Sequence, residues 1–226
     1  MKNIAIDSSS LITISDSCLI RILKHLSDSE GISFIIPQSV YYESVEKPLK
    51  IKKFELNAVR IRDAVEDGYL KVAKTTQTVR QKMLELNEIA SSLCTAKGKR
   101  IKLIDLGEAE TLAMMKENNA GLLVIDERTT RMLIEEPENV VHFLERRHKS
   151  RVDLDFGALK RFRELFGGIR IVRSVELIAL AYETGAFEKE LHKSKQSLEA
   201  ALYSAKFGGC AVSFEEINDF MKKVGS

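Results

Sequence analysis

Asn3-Ile4-Ala5-Ile6-Asp7-Ser8-Ser9 is the stretch whose reading decides the fold. A short β-favouring run ends on a carboxylate. Ser8 to Ser10 then supply hydroxyls suited to start a helix carrying Leu11, Ile12, Ile14, Leu19, Ile20, Ile22 and Leu23. The pattern returns at Gly121-Leu122-Leu123-Val124-Ile125-Asp126, again a short buried strand with an Asp at its C-terminal edge. In open α/β sheets that edge is where ligands and metals bind.

Three further runs read as strands: Ser33-Phe34-Ile35-Ile36 before Pro37, Tyr69-Leu70-Lys71-Val72 after Gly68, and Ile169-Arg170-Ile171-Val172. The first helix loses its pattern near Ser15-Asp16-Ser17 and is expected to split in two. Further helices are expected to begin at 38 and to cover 50–66, 76–97, 107–118, 129–135 with Pro137 as a stop, 174–183 and 188–206. Ser213 and Glu216 form a capping-box pattern before a last helix. Strands and helices alternate through residue 172. That order predicts an α/β fold with a doubly wound, mostly parallel sheet of five strands between helices. Crossover connections then put the C-terminal strand ends on one side, so Asp7 and Asp126 meet if their strands are neighbours. The stretch of about 136–167 is longer than a usual connection and reads as a helical insertion, and 186–226 reads as a helical extension of a domain spanning 1–185.

Composition narrows the function classes. A hydrophobic share of 44% in 226 residues supports a real core. No apolar run approaches the roughly 20 residues of a membrane span. Met1-Lys2-Asn3 runs straight into a strand with no signal-peptide pattern, so a cytoplasmic protein is expected. Cys18, Cys94 and Cys210 are scattered without a CxxC spacing, which argues against zinc and against disulfides. They are expected as small buried hydrophobes. His25, His142, His148 and His192 form no motif. Net charge is only +2, so a nucleic acid must be met by a local patch. Two patches qualify: Arg128 and Arg131 beside Asp126, and Glu145-Arg146-Arg147-His148-Lys149-Ser150-Arg151 with Lys160-Arg161-Phe162-Arg163. Phosphate contacts there would be salt-dependent.

Four acids are the candidate chemistry: Asp7, Glu43, Glu108 and Asp126. Each has a local alternative. Asp7 and Asp126 suit helix N-caps, and Glu43 suits a surface position. Glu108 suits the third helical position of a capping box with Asp105. The apolar face of that helix is carried by Ala109, Leu112 and Ala113. At roughly 100° per residue, Glu108 lies nearer its middle than Glu110. Taken together, the local alternatives do not account for four acids gathered near one sheet edge. Clustered carboxylates repel one another and need a cation, and oxygen-only ligands suit Mg²⁺ or Mn²⁺.

Five pieces, in order, resemble the PIN-domain ribonucleases, most closely the VapC-like and related prokaryotic PIN proteins. They are Ile4-Ala5-Ile6-Asp7-Ser8-Ser9, Pro37-Gln38-Ser39-Val40-Tyr41-Tyr42-Glu43, Gly107-Glu108-Ala109-Glu110-Thr111-Leu112-Ala113, Leu123-Val124-Ile125-Asp126-Glu127-Arg128, and a closing strand-helix unit from Val172 to Gly185. The resemblance covers about 1–185, less the insertion. It implies a three-layer α/β/α fold and a Mg²⁺- or Mn²⁺-dependent endoribonuclease whose products carry a 5′-phosphate. It maps the family's catalytic and metal-binding acids onto Asp7, Glu43, Glu108 and Asp126. Ser9 matches the small polar residue after the first Asp and, with Arg128 and Arg131, stands as a candidate substrate contact. The implied partners are RNA, an antitoxin-like protein and a second copy of the chain in a homodimer. Two rival readings are weighed. A haloacid-dehalogenase-like phosphotransferase needs a second Asp two residues after Asp7, where Ser9 stands. A non-catalytic PIN-like scaffold that binds RNA or protein keeps the fold without needing an ion.

Overall fold

The computed structural model describes residues 2–224. β1 (Lys2–Ile6) leads through α1 (Ser8–Asp16) and α2 (Ile22–Glu30) to β2 (Ile32–Ile36). α3 (Gln38–Tyr41), α4 (Glu55–Glu66) and β3 (Leu70–Val72) follow. α5 (Gln77–Leu93) runs into a hairpin of β4 (Cys94–Ala96) and β5 (Lys99–Arg100). Then come α6 (Leu106–Glu117), β6 (Ala120–Val124), α7 (Arg128–Glu135), α8 (Pro137–His148), β7 (Val152–Leu154), α9 (Phe156–Phe166) and β8 (Arg170–Val172). α10 (Ser174–Glu183), α11 (Lys195–Gly208) and α12 (Phe214–Lys223) close the chain.

The main sheet has the order β3-β2-β1-β6-β8 and is parallel throughout. Its strands alternate between two cores, as a sheet buried on both faces requires. Ile4, Ile6, Phe34, Ile36 and Val124 face one core. α1, α2, α10 and α11 supply Leu11, Leu23, Ile178 and Leu202 to it. Ala5, Ile35, Leu123 and Ile125 face the other, where α5, α6, α8 and α9 supply Leu86, Leu112, Leu144 and Phe162. The fold is therefore the expected three-layer α/β/α sandwich.

The chain leaves β1 toward β2 and β3, then crosses back to β6 on the other side of β1. The reversal of direction lies between β1 and β6. At such a switch point the helices that follow two neighbouring strands diverge and leave a crevice at the C-terminal edge. Ile6 pairs with Val124 in the ladder, so Asp7 leaves that edge level with Ile125, and Asp126 follows one residue further on along the neighbouring strand.

Several elements differ from the sequence reading. The helix expected over 76–97 stops at Leu93, because Cys94–Ala96 forms the centre of a second, antiparallel sheet of order β5-β4-β7. The insertion expected to be helical therefore contains a strand, β7, between α8 and α9. Pro137 does not only stop α7; it occupies the first turn of α8, where its missing N–H costs nothing. The helix expected over 50–66 begins at Glu55, after a 3₁₀ turn at Pro48–Lys50. The one expected over 188–206 begins at Lys195, after a 3₁₀ turn at Ala186–Lys189. Cys18 is exposed, not buried, and has a left-handed backbone between α1 and α2, whereas Cys94 and Cys210 are buried. All three thiols are free. Among the described residues no helix is long and apolar enough to cross a membrane.

Candidate active site

Asp7 sits one residue beyond β1 and is 2% exposed. Its backbone N–H donates to Val124 O at 2.9 Å, which locks it to β6. Its Oδ2 accepts from Ser9 N at 3.0 Å and from Ser9 Oγ at 2.8 Å, so Asp7 is indeed the N-cap of α1. A cap uses one oxygen. Asp7 Oδ1 is also buried and, among the described residues, has no hydrogen-bond partner. Leaving a buried acceptor empty is costly unless something outside the chain fills it. Burial pushes the Asp7 carboxyl up to about 6, against the two Ser9 hydrogen bonds and with help from the Asp105 charge.

Asp126 is two residues beyond β6 and equally buried. The local alternative fails here, because the N-cap of α7 is Glu127, which accepts from Thr130 N at 2.7 Å. Asp126 instead points to the next strand. Its Oδ1 accepts from Ser174 N and its Oδ2 from Ser174 Oγ, both at 2.8 Å. The register explains this contact. Val124 pairs with Val172, and each partner lies two residues further on. Ser9 joins the two aspartates, since its hydroxyl donates to Asp7 Oδ2 and accepts from Asp126 N at 3.3 Å. From the tail, Cys210 lies against Asp126 and Ser174. Burial first, then the Asp126 charge, pushes its thiol up to about 12.

Glu108 is the third helical residue of α6 and forms the capping box with Asp105. Its Oε2 accepts from Asp105 N at 2.7 Å and its Oε1 from Thr130 Oγ1 at 2.9 Å. Burial pushes its carboxyl up to about 8, and the charges of Asp105, Asp7 and Glu127 push the same way. Asp7 and Glu108 thus feel each other, which places α6 over the end of β1.

Glu110 is no less buried than Glu108 but faces elsewhere. Its oxygens accept from Ser39 N at 2.9 Å and from the Thr75 hydroxyl. That contact ties α6 to the start of α3. Beyond α3, residues Tyr42–Glu46 form a π turn, with Lys47 N bonded to Tyr42 O at 2.9 Å. Wide turns of this kind recur at functional sites. This one carries Glu43, half-buried, whose carboxylate lies against Gly107. A Cβ at Gly107 would sit 3.1 Å from Glu43 Oε2, so the glycine lets that carboxylate lie against the first turn of α6.

Ser9 therefore links Asp7 to Asp126, Glu108 lies within reach of the Asp7 charge, and Glu43 rests beside Gly107. Among the described residues no three Asp, Glu, His or Cys side chains stand close enough to grip one ion. The donor set nevertheless fits a hard divalent cation. It is all oxygen, Asp7, Glu108 and Asp126 are buried, one buried oxygen is empty, and burial raises the carboxyls of Asp7 and Glu108. Arg128 is exposed and stacks over Phe143, 4.8 Å from the ring centroid. Arg131 reaches Glu135 at 3.7 Å.

Thr130, Ser174 and Asp105 escaped the sequence reading as parts of the site. Ser174 had a signal: it stands as far beyond its strand as Asp126 does beyond its own. That signal becomes readable only once β6 and β8 are known to be neighbours. Asp105 was read as a cap and its charge was overlooked.

A family model described as a PIN domain matches residues 3–138. No curated protein matches the chain.

Proposed function

This chain belongs to the PIN-domain family, whose members are typically nucleases that use divalent metal ions, and from that premise we propose that it is a Mg²⁺- or Mn²⁺-dependent endoribonuclease. The observation that carries the proposal is the empty, buried Oδ1 of Asp7 at the switch point of the sheet, next to Asp126. Asp7, Glu43, Glu108 and Asp126 would hold the ion or ions. Bound there, the metal supplies an activated water and positive charge for the phosphodiester oxygens.

The chain's own residues prepare the place. Ser9 fixes Asp7 Oδ2 and leaves Oδ1 facing the edge. Ser174 holds both oxygens of Asp126 in one plane with two donors. Thr130 and Asp105 N do the same for Glu108, which keeps a proton until a cation displaces it. Arg128 and Arg131, on the first turns of α7, are the nearest cations in sequence to Asp126 and would meet substrate phosphates. An antitoxin-like partner, resting on the family resemblance, a homodimer, resting on that and on the apolar helices after residue 174, and a cytoplasmic location, resting on the N-terminal sequence and scattered cysteines, belong to the same proposal.

Asp7→Asn tests the reading. The change keeps size and an acceptor for Ser9, and Asn caps helices about as well as Asp. Mn²⁺-dependent cleavage of single-stranded RNA should fall by about three orders of magnitude, the scale of several kcal/mol of lost charge stabilisation. Thermal stability in chelator should be equal or higher, since a buried charge is removed. Full activity in the variant would refute the metal-ligand role. RNA binding by the unmodified protein without any ion-dependent cleavage would favour the non-catalytic scaffold.

A further inference from the structure

A concentration of positive charge lies only partly where the sequence placed it. The hairpin of β4 and β5 and the end of α8 enclose a cavity of about 490 Å³. Its walls carry Lys97, Lys99, Arg100 and Lys102 from one side and Arg147 and His148 from the other. No carboxylate lines it. Among the described residues none of its lysines or arginines is paired with an acid, although ion pairs are common elsewhere on the surface. In a chain of net charge +2 this is a local excess with no internal purpose.

Two features connect it to the acidic edge. Thr129 lines the cavity, and its neighbour Thr130 donates to Glu108. Leu103 also lines it, two residues before Asp105, which caps α6 over Asp7 and Glu108. The cavity thus shares the first turn of α7 and the approach to α6 with the candidate site. Its floor is apolar, with Leu103 and Leu144. Lys97 adds a third sign. It and Gly98 form the hairpin tip with positive φ of 52° and 72°. At the first tip position Asn or Gly is favoured and a lysine is not.

We propose that this cavity seats the phosphate backbone of the single-stranded RNA that flanks the scissile bond. The proposal rests on the ribonuclease reading and names the place where its substrate is held. Lysine and arginine around a hollow with an apolar floor suit phosphates on the walls and an unstacked base beneath them.

The test is equilibrium binding of a fluorescent single-stranded RNA in chelator, where no cleavage occurs. The variant Lys97→Gln/Lys99→Gln/Arg100→Gln/Lys102→Gln changes only exposed side chains. Arg147→Gln, on the opposite wall, is an independent second variant. The fourfold variant should lose at least about tenfold in affinity at low salt, and its slope of log K against log salt should shrink by about 3. Arg147→Gln should shrink the slope by about 0.7. Affinity and slope equal to those of the unmodified protein in both variants would overturn the proposal. So would tighter binding of an acidic peptide of equal charge than of the RNA. Cleavage in Mn²⁺ is scored separately, so an inactive protein that still shows these binding changes would overturn the nuclease reading alone.

Discussion

Glu108 and Glu110 stand two residues apart on one helix, are equally buried, and face regions that make opposite demands. Residues so spaced point to opposite sides of an α-helix. On its side, Glu110 meets neutral donors, Ser39 N and the Thr75 hydroxyl, and works as a strut between α6 and α3. On the other side, Glu108 meets Asp7, Asp105 and Glu127, and its carboxyl is pushed up to about 8. Burial alone does not separate a structural acid from a functional one. The charge of the company distinguishes these two: Glu110 meets donors alone, whereas Glu108 meets two donors, Asp105 N and the Thr130 hydroxyl, together with three other acids.

Neutralising each glutamate in turn should separate the two roles most sharply. Glu108→Gln should lower Mn²⁺-dependent cleavage by about two to three orders of magnitude while leaving the melting temperature in chelator unchanged or raised. Glu110→Ala should do the reverse. It strands two donors and should cost about 1–3 kcal/mol of stability in denaturant titrations, with activity kept within about tenfold. If the two variants exchange phenotypes, the distinction is wrong.

A pH series should sharpen it further. Between the ordinary glutamate value of 4.5 and about 8, folded Glu108 holds a proton that the unfolded chain has released. The folded state then binds more protons than the unfolded one, so stability must fall as pH rises through that window. Asp7, raised to about 6, adds to the same slope over the lower part of it. Thermal melts in chelator should show this decline, and Glu108→Gln should flatten it. Mn²⁺ should flatten it too, by substituting for the proton. The smallest effect is expected at Gly107→Ala, where the new methyl moves the Glu43 carboxylate by a few tenths of an ångström. Activity should drop a few-fold, and helix stability should gain about 0.5–1 kcal/mol. An unchanged rate would mean that Glu43 has no fixed position to lose.

The main sheet was legible because its three central strands, β2, β1 and β6, are short apolar runs ended by Pro37, Asp7 or Asp126, a pattern that survives without context. The small sheet was not. Cys94-Thr95-Ala96 is too short to show alternation, it extends the apolar pattern of α5, and its partner β7 lies more than 50 residues away. The basic cavity was lost with it. The run from Glu145 to Arg151 was visible as charge, but only Arg147 and His148 of its basic residues reach the cavity, and of the hairpin side only Lys97 fell in an expected element, the end of a helix, while Lys99, Arg100 and Lys102 fell in none. The strand-end positions of Asp7 and Asp126 could be read from pattern alone. The hydroxyls that hold them could not, because Ser174 and Thr130 find their acids through strand order and helix packing.

Asp126 is held by a residue 48 positions later in the chain, and the Arg173 beside that residue is clamped in turn by Glu216 at 2.8 Å. A chain that emerges from the ribosome N-terminus first has displayed all four acids by residue 126. It lacks β8 and Ser174 until residue 174, and Cys210 and α12 until later still. The acidic edge is therefore written early and braced late, and a nascent or C-terminally clipped chain carries its carboxylates on an unsupported strand end.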